Sequence, residues 1–141
     1  MPFRIAKSFT VESGHLLTKS TTGCRFPHGH SRTIEVIVAS DHLDAADMVC
    51  DFQTLKTAAA QTVAHYDHAF ALNTADPNFG ELRATYGERV IAFAGVDPTT
   101  EALAREIFRA IRTRLAELAP AVRLERIRVT ETATSWAEYW E

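Results

Sequence analysis

Two segments that alternate between apolar and polar residues, joined by a polar loop, constrain the fold of this chain most. In residues 3–13 and again in residues 33–40, apolar side chains recur at every second position. Side chains two apart on a strand point to the same face, so each segment predicts a strand with one buried face. Residues 18–23 between them form a polar loop and not a helical crossover, which predicts an antiparallel pair.

Two later segments change to the helical period. Apolar residues recur at helical spacing in residues 52–66, after Asp51 as the N-terminal cap, and again in residues 103–118. Residues 123–132 alternate once more, and residues 136–140 are suited to a final strand. The predicted order is β-β-α-α-β-β, an α+β fold in which a four-stranded antiparallel sheet carries two helices on one face. The two open edges of such a sheet favour oligomerisation.

The stretch before the second long helix is less regular. Residues 81–86 could form a short helix and residues 89–93 a short strand. Pro98 in a first helical turn, with Asp97 or Thr99 as the cap, then marks a clear helix start.

The composition limits the classes of protein to which this chain can belong. With 141 residues, of which 46% are hydrophobic and 23% charged, the chain is expected to form one domain, residues 1–141. The net charge of −3 and the lack of a basic run argue against a nucleic-acid partner. No apolar stretch is long enough to span a membrane or serve as a signal peptide, so a cytoplasmic protein without membrane partners is expected.

The stretch Cys24–His30 contains a thiol and two imidazoles just before the second alternating segment. His28 and His30 flank Gly29 at the predicted start of a strand, so both imidazoles point to the same face. His15, at the end of the first alternating segment, supplies a third imidazole. Three neutral imidazoles with one open position are the ligand set of a catalytic zinc, and the sequence therefore predicts zinc here.

Cys24 allows two interpretations. As a fourth ligand it would close the coordination shell and make the zinc structural. As a free thiol near a dication it would have a lowered pKa, and the thiolate could act as a base or nucleophile. Removing Cys24 while measuring bound metal separates the two. Cys50 lies in an apolar run and is expected to be a core residue.

Four further residues are candidates for a site. Asp67 and His68 are adjacent at a predicted helix end, where they form either a proton relay or a solvent-exposed pair without function. Glu131, on or at the end of a strand, is suited to grip the neighbouring N–H donors of an amino-pyrimidinone edge. Glu101 is also explained by its place at a helix N-terminus.

Six motifs follow one another along nearly the whole chain. They are Phe9–His15, Cys24-x-x-x-His28-Gly29-His30, Asp51-Phe52, Tyr66-Asp67-His68 with Leu72-Asn73, Pro98-Thr99-Thr100-Glu101, and Glu131-Thr132. In this order they resemble the 6-pyruvoyl-tetrahydropterin synthase and 6-carboxytetrahydropterin synthase family. The resemblance implies the tunnelling fold, a ββααββ unit that oligomerises into a barrel. It also implies a homo-oligomer, trimer or hexamer, with active sites between subunits.

By this resemblance, His15, His28 and His30 hold zinc, and Cys24 is the catalytic base. The family's small-molecule substrate is 7,8-dihydroneopterin triphosphate. The implied activity is that of a zinc-dependent lyase that forms 6-carboxy-5,6,7,8-tetrahydropterin and releases acetaldehyde and triphosphate, as in queuosine and other deazapurine pathways. The alternative is a 6-pyruvoyl-tetrahydropterin synthase, which eliminates triphosphate and keeps the three-carbon side chain. The short spacing from Cys24 to His28 favours the carboxy branch.

The resemblance also makes Asp67 with His68 the proton relay, from a neighbouring subunit. Glu131 would anchor the pterin ring, and Glu101 would help to line the pocket. Residues 74–96 form a longer segment than the carboxy branch leads one to expect, which could reshape the pocket or an interface. Two alternatives of other classes are a catalytically silent zinc and pterin-binding module, and a structural zinc domain that mediates protein contacts.

Overall fold

Six strands and three α-helices build the fold, and the computed structural model describes all 141 residues. In chain order they are β1 (Phe3–His15), β2 (His28–Ser40), α1 (Phe52–Tyr66), β3 (Ala69–Asn73), α2 (Phe79–Tyr86), β4 (Val90–Phe93), α3 (Thr100–Leu118), β5 (Arg123–Thr132) and β6 (Ser135–Tyr139). The strands form one sheet in the order β4-β3-β1-β2-β5-β6. The predicted α+β fold is confirmed.

The long hairpin of β1 and β2 is at the centre of the sheet. Its strands are antiparallel over their full lengths, and His15 and His28 form the pair at the loop end. Successive side chains on a strand point to opposite faces, so these two histidines project from the same face as the core residues Val11 and Ile34. The hairpin therefore places histidines from two strands side by side at the end of the buried face.

The predicted count of four strands and two helices is wrong. Strands β3 and β4 extend the sheet beyond β1 and lie parallel to their neighbours, and α2 is a third helix. Residues 69–73 do not alternate because both faces of β3 are covered, and a strand buried on both faces has no apolar–polar period. The short helix and short strand expected within residues 81–93 are confirmed as α2 and β4.

The helices cover different faces of the sheet. A core of 24 buried residues, with Leu55 of α1 and Ile111 of α3 among them, joins these two helices to the main sheet face. A second, smaller cluster contains Leu72 and Val90 together with Leu82 of α2. Alternation along β3 and β4 places this cluster on the opposite face. The expectation of two helices on one face thus holds for α1 and α3, but not for α2.

Side-chain caps set the starts of the two long helices. Asp51 accepts a hydrogen bond from the Gln53 N–H at the start of α1, and Thr99 accepts one from the Ala102 N–H at the start of α3. The cap predicted for α1 is confirmed, and Thr99 is the cap of α3. None of the helices combines the length and the apolar character needed to cross a membrane.

Candidate metal centre

The imidazoles of His15, His28 and His30 converge at the loop end of the β1–β2 hairpin. One ring nitrogen of each lies within 4.8 Å of those of the other two. The ring centroids are 4.5 to 5.2 Å apart, and the ring planes are inclined to one another by 58 to 86°. Three imidazoles that approach one point from different directions can hold a metal ion.

Backbone carbonyls select the tautomer of two of these rings. His15 donates its Nδ1–H to the carbonyl of Pro98 at 2.7 Å, and His28 donates its Nδ1–H to the carbonyl of Phe26 at 2.7 Å. A carbonyl oxygen only accepts, so the Nε2 atoms of both rings keep their lone pairs for a ligand. The Nε2 of His30 is buried without a hydrogen-bond partner. A bond to a metal ion would satisfy this nitrogen.

Burial keeps two of the imidazoles uncharged. His15 is 1% exposed, and burial lowers its pKa from 6.5 to about 4, with the nearby charge of Arg32 contributing and the hydrogen bond to Pro98 opposing the shift. Burial and the charge of Arg32 also lower the pKa of His30. The neutral imidazole is the form that binds a metal ion, so these side chains are prepared for coordination near neutral pH.

Arg32 lies against the same cluster and is the largest fully buried side chain, at 1% exposed. Its Nη1 donates to the Thr100 hydroxyl at 3.0 Å and reaches the Thr130 carbonyl at 3.4 Å. Its Nη2 approaches Nε2 of His15 at 3.4 Å, while its Nε is buried without a partner. Burial lowers the pKa of this guanidinium, and the charge of Glu131 opposes that shift.

A carboxylate borders the imidazoles on one side. Glu131 accepts a hydrogen bond from the Thr100 hydroxyl at 3.2 Å, and its Oε1 lies 3.8 Å from Nε2 of His30, too far for a hydrogen bond. The Glu131 side chain is 36% exposed, so one side of the carboxylate is open to a ligand. Glu101 lies exposed in the first turn of α3.

Cys24 is not part of the cluster of metal-ligating side chains. It lies in a short 3-10 turn, residues 23–25, and its thiol is free and partly exposed. The Cys24 carbonyl accepts a hydrogen bond from the Leu17 N–H at 2.8 Å, which closes the loop between β1 and β2. The thiol therefore belongs to the loop beside the histidines, and the imidazoles alone form the cluster.

Residues beyond the hairpin hold this loop in place. The Thr18 hydroxyl donates to Asp76 at 2.7 Å, and the Lys19 N–H donates to Asp97 at 2.8 Å. Asp97 is buried and also accepts from the side-chain amide of Asn73 at 2.9 Å. The segment 74–96 thus contacts the loop that carries Cys24 through Asp76, while Asp97 links the loop to the end of β3.

Asp67 and His68 form a pair on the surface at the end of α1. His68 Nδ1 lies 3.0 Å from Oδ2 of Asp67, and Oδ1 of Asp67 accepts from the Glu12 N–H at 2.8 Å. The hydrogen bond from Glu12, followed by that from His68, lowers the pKa of Asp67. His68 has a φ of 56° and its side chain is 72% exposed.

A cleft lies beside this pair, between the loop end of the β1–β2 hairpin and α2. Its volume is about 640 Å³, and its lining includes His68, Glu12, Phe70 and His30. His68 therefore lines the cleft, and no hydrogen bond joins the pair to the histidine cluster.

Residues 4–141 match the protein family described as 6-pyruvoyl tetrahydropterin synthase. The chain belongs to this family. It is 35% identical to the 6-carboxy-5,6,7,8-tetrahydropterin synthase of Aquifex aeolicus, and the match covers 100% of this chain and 99% of that relative. The prediction of an enzyme of this family, made from the sequence motifs, is confirmed.

Solved structures share the family's fold. An uncharacterised protein of Wolinella succinogenes superimposes with a TM-score of 0.81 at 24% identity, covering 99% of this chain and 98% of that one. A variant of the 6-pyruvoyltetrahydropterin synthase of Plasmodium vivax superimposes with a TM-score of 0.76 at 13% identity, covering 99% and 97%. At these identities the likeness concerns the fold.

The sequence motifs contain Pro98 and Thr100 but not Arg32, and they predicted no supporting role for any of these three residues. The Pro98 carbonyl orients His15 at 2.7 Å, Arg32 approaches the same ring at 3.4 Å, and the Thr100 hydroxyl donates to Glu131 at 3.2 Å. One signal was available for Arg32. It is two residues after His30 on a strand whose apolar side chains alternate in the same phase, so a charged side chain occupies an inward-pointing position.

Proposed function

We propose that this chain is a zinc-dependent lyase that converts 7,8-dihydroneopterin triphosphate to 6-carboxy-5,6,7,8-tetrahydropterin, with release of acetaldehyde and triphosphate. The observation that carries the proposal is the convergence of three imidazoles beside the Glu131 carboxylate. The name of the Aquifex aeolicus relative, which matches along the full chain, supports the carboxy product.

The donor set suits zinc. The proposed ligands are His15, His28 and His30, and nitrogen ligands in a cluster of three, with room for one more group, are characteristic of catalytic zinc. The buried Nε2 of His30, which no protein group satisfies, fits a metal bond. When bound, zinc would supply Lewis-acid stabilisation of negative charge on oxygen atoms of the substrate side chain.

Glu131 is the proposed anchor of the pterin ring. Its ionised carboxylate accepts two N–H groups at once, as the amino-pyrimidinone edge of a pterin offers them. The Thr100 hydroxyl occupies one lone pair of Oε1 and orients the carboxylate, while more than a third of the side chain stays open. Glu101, exposed in the first turn of α3, is proposed to line the outer part of the pocket.

Cys24 is the proposed base. As a thiolate, its Sγ would take a proton from the side-chain carbon of the substrate. His68 is proposed to move a second proton through Nε2, because its Nδ1 is engaged with the Asp67 carboxylate. The ionised Asp67 would stabilise the imidazolium that forms when His68 takes up a proton.

Active sites shared between subunits of a trimer or hexamer are part of the proposal. Of the thirteen residues of β1, Ser13–His15 pair with β3 and Glu12 is hydrogen-bonded to Asp67, so no strand pairs with that edge before Glu12, nor with the outer edge of β6. Trp136 and Trp140 at β6 are 53% and 65% exposed. Open strand edges that carry large apolar side chains are suited to pairing with another copy.

Incubation of zinc-loaded protein with 7,8-dihydroneopterin triphosphate, followed by mass identification of the products, tests the proposal. A carboxy product with an equivalent of acetaldehyde is expected. A pyruvoyl product would place the chain in the other branch of the family. Unchanged substrate, with zinc and pterin still bound, would instead identify a silent binding module and contradict the proposed activity.

A further inference from the structure

Arg32 is a buried charge without a counter-ion. The guanidinium is 1% exposed and makes hydrogen bonds but no ion pair, and its Nε has no partner. A buried guanidinium that lacks a carboxylate partner lowers the stability of the fold, so we look for its role in the groups that it contacts. Those contacts join the two halves of the candidate site, because one reaches His15 and the other reaches Glu131 through Thr100.

On the carboxylate side, Arg32 determines the direction of a hydroxyl proton. The Thr100 hydroxyl accepts from Nη1 of Arg32 at 3.0 Å and lies 3.2 Å from Oε1 of Glu131. A guanidinium has no lone pair to offer, so the single hydroxyl proton is left for Glu131. The Arg32–Thr100 pair thereby holds the carboxylate in one orientation, which favours a ligand with paired N–H donors.

On the imidazole side, the same guanidinium competes with a metal ion. The Nδ1–H of His15 is committed to the Pro98 carbonyl, so Nε2 is the nitrogen left for a metal. Nη2 of Arg32 approaches this Nε2 at 3.4 Å. A bound dication must replace that contact and then lies near a buried positive charge, which weakens its binding.

We propose that Arg32 is a positioning residue that strengthens pterin binding at Glu131 and weakens metal binding at His15. The pterin part rests on the proposed function, whereas the metal part rests on the three imidazoles alone. A residue that merely stabilised the fold would affect both kinds of binding in the same direction. Opposite effects on metal and pterin are therefore the signature of the proposed role.

The variant Arg32→Met tests both parts, because methionine is flexible enough to fill the buried space without charge. Zinc affinity of the metal-free protein is measured by competition with a chromogenic chelator, and pterin affinity of the zinc-loaded protein by the fluorescence of neopterin. Because the variant frees Nε2 of His15 and leaves the Thr100 hydroxyl undirected, we expect zinc to bind about 10-fold more tightly and neopterin about 10-fold more weakly.

Thr100→Val is the second variant, and it keeps the proposal testable if Arg32→Met does not fold. It removes the hydroxyl that orients Glu131 but leaves the guanidinium beside His15. Neopterin binding should weaken about 10-fold, with zinc affinity within about twofold of wild type. In the double variant the loss of neopterin affinity should be no larger than in either single variant, because both act through one hydrogen-bond chain.

The outcomes separate the two proposals. If Arg32→Met weakens zinc binding or leaves it unchanged, or if Thr100→Val leaves neopterin binding unchanged, the role of Arg32 is refuted while the proposed function stands. If the wild-type protein binds zinc but no neopterin, the proposed function is refuted. The zinc affinity of Arg32→Met then tests only the proposed effect on metal binding, which tighter binding supports.

Discussion

The histidine cluster and the proposed proton-transfer groups differ in how completely one chain builds them. In the cluster, His15 is 1% exposed, His28 and His30 are partly buried, and carbonyls of Pro98 and Phe26 orient two rings. Cys24 lies in a partly exposed loop, and the side chain of His68 is 72% exposed. One region is organised by burial and backbone hydrogen bonds, and the other by contacts at the surface.

The difference in burial reflects what metal binding and proton transfer each require. A metal site needs its ligands held in place before the ion binds, and the antiparallel hairpin with the start of α3 supplies that within one chain. Proton transfer needs groups that contact the substrate, and exposed groups reach their final surroundings only when substrate or another subunit covers them.

Removal of one imidazole should abolish metal binding by the histidine cluster. In His28→Ala we expect zinc affinity and turnover to fall by more than about 100-fold, because even outer partners of metal ligands contribute about 10–100-fold. Zinc content by mass spectrometry and activity at saturating substrate measure the two effects. His42→Ala, at an exposed histidine outside the site, is the matched control and should retain both. Full zinc content in His28→Ala would contradict the assignment.

Removal of the thiol should separate metal binding from chemistry. We expect Cys24→Ala to bind zinc as tightly as wild type but to lose about 100- to 10,000-fold in kcat, the range that general-base catalysis supplies. Cys50→Ala, at the buried cysteine, is the control and should retain activity. A parallel loss of zinc in Cys24→Ala would show that the thiol is a ligand and that the two regions are one.

Mixing two inactive variants tests whether Cys24 and His68 of one active site come from different subunits. Cys24→Ala and His68→Ala are each expected to be inactive, but subunit exchange should return roughly a quarter of wild-type activity if each site takes the two residues from different chains. The specific activity of a co-expressed, tag-selected mixed oligomer is the measurement. A mixture that stays inactive would mean that one chain supplies both groups.

The smallest expected effect concerns the charge on Asp67. Its pKa is lowered in the folded protein, so the ionised carboxylate contributes stability above its unfolded pKa, and that contribution is lost as the pH falls through the lower folded pKa. Asp67→Asn keeps an acceptor for the Glu12 N–H but not the charge. Urea denaturation should show a less stable variant at neutral pH, with the difference vanishing in acid. A difference that persists in acid would point to lost packing.

The sequence predicts those structural features that depend on residues close together in the chain. Alternation predicts β1 and β2 and brings His28 and His30 to one face, because that relation depends on residues two apart. Strand β3 has no such signal, since its apolar run follows from being covered on both faces. The motifs name the imidazoles but not the hydrogen bond from Arg32 to Thr100, which joins residues 68 apart in the chain.

X-ray absorption at the zinc edge of the loaded wild-type protein is the most direct test of the central claim, that three imidazoles hold the metal and the Cys24 thiol stays free. We expect nitrogen and oxygen neighbours at about 2.0–2.1 Å and no sulfur neighbour. A sulfur neighbour at about 2.3 Å would make Cys24 a ligand and contradict the assignment of a free thiol.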